Sequence, residues 1–100
     1  MNTVLSITQL KITIHSLLIK YHAEAAILFG SYARQEADAF SDIDVVIIGG
    51  TAFDPTDVFS LADDLNRMTG KDVDVYELCE IEQDSNFYKS IQKEGVRIPA

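Results

Sequence analysis

Two aspartates separated by one residue, Asp42 and Asp44, stand at the mouth of the β-branched run Val45–Ile48. Side chains alternate along a strand, so residues two apart point the same way, with Cα atoms about 6.5–7 Å apart. Carboxylates projecting together suit hard divalent cations, which take oxygen ligands. A pair of such ions about 3.5–4 Å apart is the usual machinery for in-line displacement at phosphorus. Upstream, Gly30-Ser31 stands where the apolar run Ala25–Phe29 gives way to a short helical segment. Unpaired backbone N–H groups and the helix dipole favour a phosphate at such a turn. Arg34, one turn further on, is in reach of a triphosphate. A phosphate cradle followed closely by a metal-binding acid pair points to nucleotide chemistry.

An ion that also activates an attacking hydroxyl calls for a third acid. Asp74 is the best placed, being the inner acid of the alternating run Val73–Leu78. An unpaired carboxylate between Val73 and Val75 would be costly, and a metal would relieve that cost. Asp74, Tyr76 and Leu78 share one face of this strand, and Val73, Val75 and Glu77 share the other, which leaves Glu77 out of the acid set. Each feature alone has a plainer reading. D-x-D can be loop-exit acids in water, Gly-Ser can be only a turn, Arg34 can be an exposed arginine, and Asp74 can be solvated or paired with Lys71. Their order and spacing together are what is specific.

The elements that must position these residues follow from periodicity. Ser6 to Lys20 reads as a first helix, with Ser6 and Gln9 forming a capping box and Leu5 and Leu10 at staple positions. Its apolar face is Ile7, Leu10, Ile14, Leu17 and Leu18. Ala25–Phe29 is a strand covered on both faces. A short helix over about 31–37, a polar connector around 39–41 and the acid-led strand over about 42–48 come next, closed by Gly49-Gly50. Asp54-Pro55 announces another helix, with an N-cap acid and proline at the first helical position. Val58, Leu61, Ala62, Leu65 and Met68 form its buried stripe, and Gly70 its C-terminal stop. The strand carrying Asp74 follows, then a helix over about 85–94 with Phe87, Tyr88 and Ile91. Val96–Ile98 reads as a short edge strand or a segment lying on the body. The pattern αβαβαβα predicts an α/β (α+β) domain with helices packed on one layer of sheet, expected to be small and mixed.

Composition sets the bounds. One hundred residues, 47% hydrophobic and 24% charged, make a single globular domain over 1–100. A net charge of −8 repels a polyphosphate backbone, so direct nucleic-acid binding is not expected, whereas a basic protein partner suits it. Cys79 is the only cysteine, which excludes an internal disulfide and fits a reducing cytoplasm. No Lys/Arg-led signal peptide and no run of roughly 20 apolar residues is present, so no membrane role is expected. His15 and His22 have no evident partners and read as surface or core residues.

Gly30-Ser31-Tyr32-Ala33-Arg34, a polar connector that includes Ser41, and then Asp42-Ile43-Asp44 together resemble the GSYAR…SDxD signature of minimal nucleotidyltransferases (MNT), members of the DNA-polymerase-β-like nucleotidyltransferase superfamily. The resemblance covers nearly the whole chain, because the family's third acid falls in the strand that here holds Asp74, and Glu94-Gly95-Val96 looks like the family's ending. It implies that Gly30 and Ser31 hold the nucleotide's terminal phosphates with help from Arg34. It also implies that Asp42 and Asp44 bind two Mg2+ ions, and that Asp74 binds the catalytic ion and helps deprotonate the acceptor hydroxyl. Many members have glycine after the arginine where this chain has Gln35, a departure expected to alter the start of the helix more than the metal site.

Members of this size resemble the antitoxin half of HEPN/MNT toxin–antitoxin pairs. The implied activity is transfer of AMP from ATP to a tyrosine of a partner HEPN ribonuclease, which inactivates it in the cytoplasm. Two other readings stand beside it. One is an antitoxin that neutralises its partner by binding alone, which has no use for an intact acid triad. The other is nucleotidyl transfer to a small molecule, which would turn over without a protein partner.

Overall fold

Helix formation begins at Ser6, whose hydroxyl accepts from the Gln9 amide at 3.1 Å while the Gln9 side chain accepts from the Ser6 amide at 3.4 Å. This reciprocal box satisfies two otherwise orphaned donors and opens α1, Ile7–Tyr21. Leu10, Ile14, Leu17 and Leu18 are buried along its inner face, and Leu5 and Ile7 pack against the same core. His22 closes the helix in a left-handed conformation. The computed structural model of the chain describes residues 5–100.

The remaining elements are β1 (Ala25–Phe29), α2 (Gly30–Ala33), β2 (Ile43–Ile48), α3 (Asp57–Thr69), β3 (Val73–Glu77), a 3₁₀ turn (Leu78–Glu80), α4 (Asn86–Glu94) and β4 (Val96–Pro99). They build one four-stranded sheet in the order β3-β2-β1-β4. Strands β2 and β3 are parallel and joined through α3, while β1 runs antiparallel to both β2 and β4. The sheet is therefore mixed, as expected. The segment Val96–Ile98 is an edge strand that pairs with β1.

One face of the sheet carries Ala26, Leu28, Ile43, Val45, Ile47 and Ile98, which cluster with Leu10, Ile14, Leu61 and Leu65 from α1 and α3. Lys20 and the Tyr21 hydroxyl, at the end of α1, both meet Asp64 of α3 and tie the two helices together at their rim. The other face is covered in part by α4. Its Ile91 is buried, and Gly95 lies so close to Ile27 that a β-carbon there would overlap the isoleucine side chain. No helix among the described residues is long and apolar enough to cross a membrane.

Five expectations are corrected. Helix α3 starts at Asp57, not at Asp54-Pro55, because the Asp54 carboxylate accepts from the Thr56 amide and hydroxyl at 3.0 and 2.9 Å and holds a turn there instead of a cap. Met68 is 58% exposed and leaves the buried stripe to Leu61 and Leu65. The strand holding Asp74 ends at Glu77, since Leu78 winds into the 3₁₀ turn. Helix α2 is a single turn, Gly30–Ala33, that stops at Arg34. Gln35 follows with φ +60, a left-handed conformation in which glycine is the easiest residue. The departure at Gln35 therefore bears on the end of the helix and not on its start.

Candidate active site

Register brings the site residues into one row. Across the sheet Phe29 of β1 is opposite Asp44 of β2, and Asp44 is level with Asp74 of β3. All three project from the face away from α1 and α3, because their neighbours Leu28, Ile43, Val45, Val73 and Val75 turn into the core. The acids thus sit at the end of the two parallel strands where β1 turns into α2.

That turn is made by Gly30. Its φ is +73, and a β-carbon on it would overlap the Asp44 carboxylate oxygen Oδ2. Backbone and acid share the same few ångströms, so only glycine allows the Gly30-Ser31 turn to close on Asp44. Ser31 is half-buried beside it, whereas Tyr32 is 3% exposed and belongs to the core.

The electrostatics mark Asp44. Its carboxyl is pushed up to about 6, first by burial, then by the negative charge of Asp74 and a hydrogen bond to it, then by the charge of Asp42. Arg34 pulls the other way. Asp44 is half-buried whereas Asp74, like Asp42, is exposed, so the burial cost expected of Asp74 falls on Asp44 instead, and a cation bound there would relieve both that cost and the repulsion between the carboxylates. Asp42 lies one residue before β2 and is exposed. Among the described residues no three carboxylate, imidazole or thiol groups converge into a ready metal nest. The row supplies a cross-strand pair, Asp44 and Asp74, with Asp42 at its flank. An all-oxygen donor set of this kind fits a hard divalent ion such as Mg2+.

Arg34 stands at the rim. Its guanidinium is held by Glu36 at 3.1 Å and by Glu94 of α4 at 3.5 Å. Lys71 makes no pair with Asp74. It is 4% exposed, and its ammonium donates to the Ala39 carbonyl at 2.7 Å. This fastens the connector ahead of Asp42, where the Asp38 amide also donates to the Ser41 hydroxyl at 2.8 Å. Sequence spacing gave no sign of this anchor, which joins residues far apart in the chain.

A second group beside the acids was equally hidden. The rings of Phe29, Tyr76 and Phe87 meet pairwise with centroids 5.3–5.9 Å apart. Alternation put Tyr76 on the face of Asp74, and pairing register adds Phe29 beside Asp44.

Comparisons with known proteins bear on the family and the fold. The family model described as Polymerase beta, Nucleotidyltransferase matches residues 13–99. A relative from Methanocaldococcus jannaschii, provisionally named a protein adenylyltransferase, is 37% identical over 71 residues, which is 71% of this chain and 76% of the relative. A crystal structure of a toxin–antitoxin with AMP-PNP superposes with a TM-score of 0.74 at 23% identity, over 88% of this chain and 71% of that one. The tri-AMPylated Shewanella oneidensis HEPN toxin in complex with MNT antitoxin gives 0.68 at 23% identity, over 92% and 71%. At these identities the two structures speak for the fold.

Proposed function

This chain belongs to the polymerase-β nucleotidyltransferase family, and from that premise we propose that it is a Mg2+-dependent protein adenylyltransferase. It moves AMP from ATP onto a tyrosine of a partner HEPN ribonuclease and thereby acts as a cytoplasmic antitoxin. The observation that carries this reading is the row Asp44–Asp74 closed on by Gly30, with the Asp44 carboxyl pushed up to about 6 by burial and then by its acidic neighbours. The protein adenylyltransferase name of the M. jannaschii relative supports the reaction, and the toxin–antitoxin structures support the kind of partner.

The roles follow from position. Gly30 and Ser31 offer backbone N–H groups to the terminal phosphates, and Arg34 adds a positive charge at the rim. Asp42, Asp44 and Asp74 would hold two Mg2+ ions, which supply charge neutralisation at the phosphoryl group when bound. Asp74, the outermost acid of the row, accepts the proton of the acceptor hydroxyl. The acceptor oxygen forms a bond to the α-phosphorus of ATP, the bond from that phosphorus to the bridging oxygen breaks, and pyrophosphate leaves with the electron pair. Little else is asked of the protein than alignment and a matched charge distribution.

Co-expression tests the reading. A HEPN toxin from the adjoining gene should arrest growth alone and be neutralised by the wild-type chain but not by Asp44→Asn. Neutralisation by Asp44→Asn as full as by wild type would overturn catalysis in favour of inhibition by contact.

A further inference from the structure

Resting on the reading above, we propose that the rings of Phe29, Tyr76 and Phe87 form the acceptor subsite, a platform that takes the phenol ring of the tyrosine to be modified. Three observations carry this. The trio adjoins the acids themselves: Phe29 is the cross-strand neighbour of Asp44, and Tyr76 is two residues beyond Asp74 on the same face, about 7 Å along the strand. Phe87 reaches the trio from α4, with centroid distances of 5.3 Å to both other rings. The rings are also open. Tyr76 is 42% and Phe87 37% exposed, although the rest of the face under α4 is closed by Ile91 and Gly95.

The contacts are steeply tilted, 49° to 75° between ring planes. An aromatic array of this sort presents ring faces and edges in the mutual orientation that a further aromatic ring prefers. Its chemistry separates acceptors. A phenol gains ring contacts while its hydroxyl points back toward Asp74, whereas the short side chain of serine or threonine reaches the acids with no ring to place on the platform. A tyrosine on a partner surface is the occupant that satisfies both the acids and the rings. The nucleotide's phosphates are held by the turn at Gly30, which follows Phe29 directly, and the phenol hydroxyl enters from the Asp74 side of the row.

The probes are N-acetyl-tyrosinamide and N-acetyl-serinamide, offered with Mg2+ and ATP to the wild-type chain and to Tyr76→Leu, Phe87→Leu and the double variant. Leucine keeps apolar volume at both positions, and thermal melting confirms that each variant folds. Transfer should favour tyrosinamide in the wild type. The double variant should raise the KM for tyrosinamide about tenfold, the worth of two ring contacts. It should leave kcat within about threefold and the calorimetric affinity for ATP unchanged. Saturation-transfer NMR should show tyrosinamide binding that the double variant loses. An unchanged KM and unchanged binding would overturn the proposal. A weakened ATP affinity would overturn it too, by assigning the rings to the adenine base. So would a nucleotide-sized mass gain on this chain abolished by Tyr76→Phe, which would make Tyr76 itself the acceptor. Binding of tyrosinamide that depends on the trio, with no transfer to it, would uphold the subsite and overturn the proposed reaction instead.

Discussion

Gly30 is the residue on which the site's geometry turns. Alanine there would force a left-handed conformation costing about 1–2 kcal/mol and would drive its β-carbon into Asp44. Gly30→Ala should therefore remain folded with a small loss of stability, while transfer falls by about 10²-fold, since a shift near 1 Å at the reacting centre is enough. Steady-state kinetics alongside thermal melting separates the two effects. Asp44 adds a dependence on pH. Its carboxyl titrates near 6 in the fold against an ordinary value of 3.8. A raised carboxyl contributes stability below the ordinary value and loses it as pH rises through about 6. Without divalent ions the chain should thus gain from Asp44→Asn at pH 7.5, by an amount on the order of 1 kcal/mol once solvent screening is allowed for. With Mg2+ the order should reverse, and the melting-point rise on adding Mg2+ should be larger at pH 7.5 than at pH 5. A rise that is the same at both values, or that survives Asp44→Asn, would contradict the assignment of this carboxylate.

The elements differ in how openly the sequence declares them. The capping box at Ser6, the strand Ala25–Phe29 and the stop at Gly70 rest on local chemistry, and all were readable without a partner segment. The turn at Asp54 misled because an aspartate ahead of a proline can cap a helix or close a turn, and the Thr56 hydroxyl tips it to the turn. At Gln35 the sequence shows a residue with no special preference, and only the backbone reveals the left-handed conformation. Gln35→Gly relieves that strain but loosens the unfolded chain, so it should be neutral or stabilising by up to about 1 kcal/mol. Gln35→Val should cost about 1–2 kcal/mol, and urea unfolding checks both. The acid row was legible in part: D-x-D and the alternation around Asp74 gave the faces, but the level of Asp44 with Asp74 and the neighbourhood of Phe29 depend on strand pairing. Lys71 is a similar case, because its link to Ala39 joins residues 32 apart. Lys71→Met should loosen the connector, raising hydrogen exchange over residues 38–42 and lowering transfer about tenfold, with the core otherwise intact.

At the scale of the whole molecule, one sheet face carries the core and the other carries the proposed site. The Cα radius of gyration of 12.6 Å is that of a close-packed domain of this length, for which about 13 Å is usual. The helices α1 and α3 bury the back face, so truncation there tests the frame and not the site. Leu65→Ala should cost about 2–5 kcal/mol, a large part of a small domain's stability, and should lower the melting point without changing kcat at temperatures where the chain stays folded. The net charge of −8 acts over longer range. Association with a basic partner should slow as ionic strength rises, because screening shortens the steering field to roughly 8 Å at physiological salt.

Intact-mass spectrometry of the protein encoded by the neighbouring gene, incubated with this chain, Mg2+ and ATP, tests nucleotidyl transfer at the Asp44–Asp74 row most directly. The predicted result is a gain of one or more AMP units on a tyrosine, absent with Asp42→Asn/Asp44→Asn. An unmodified partner that forms the same stable complex with wild type and double variant would contradict it and identify an inhibitor that works by contact.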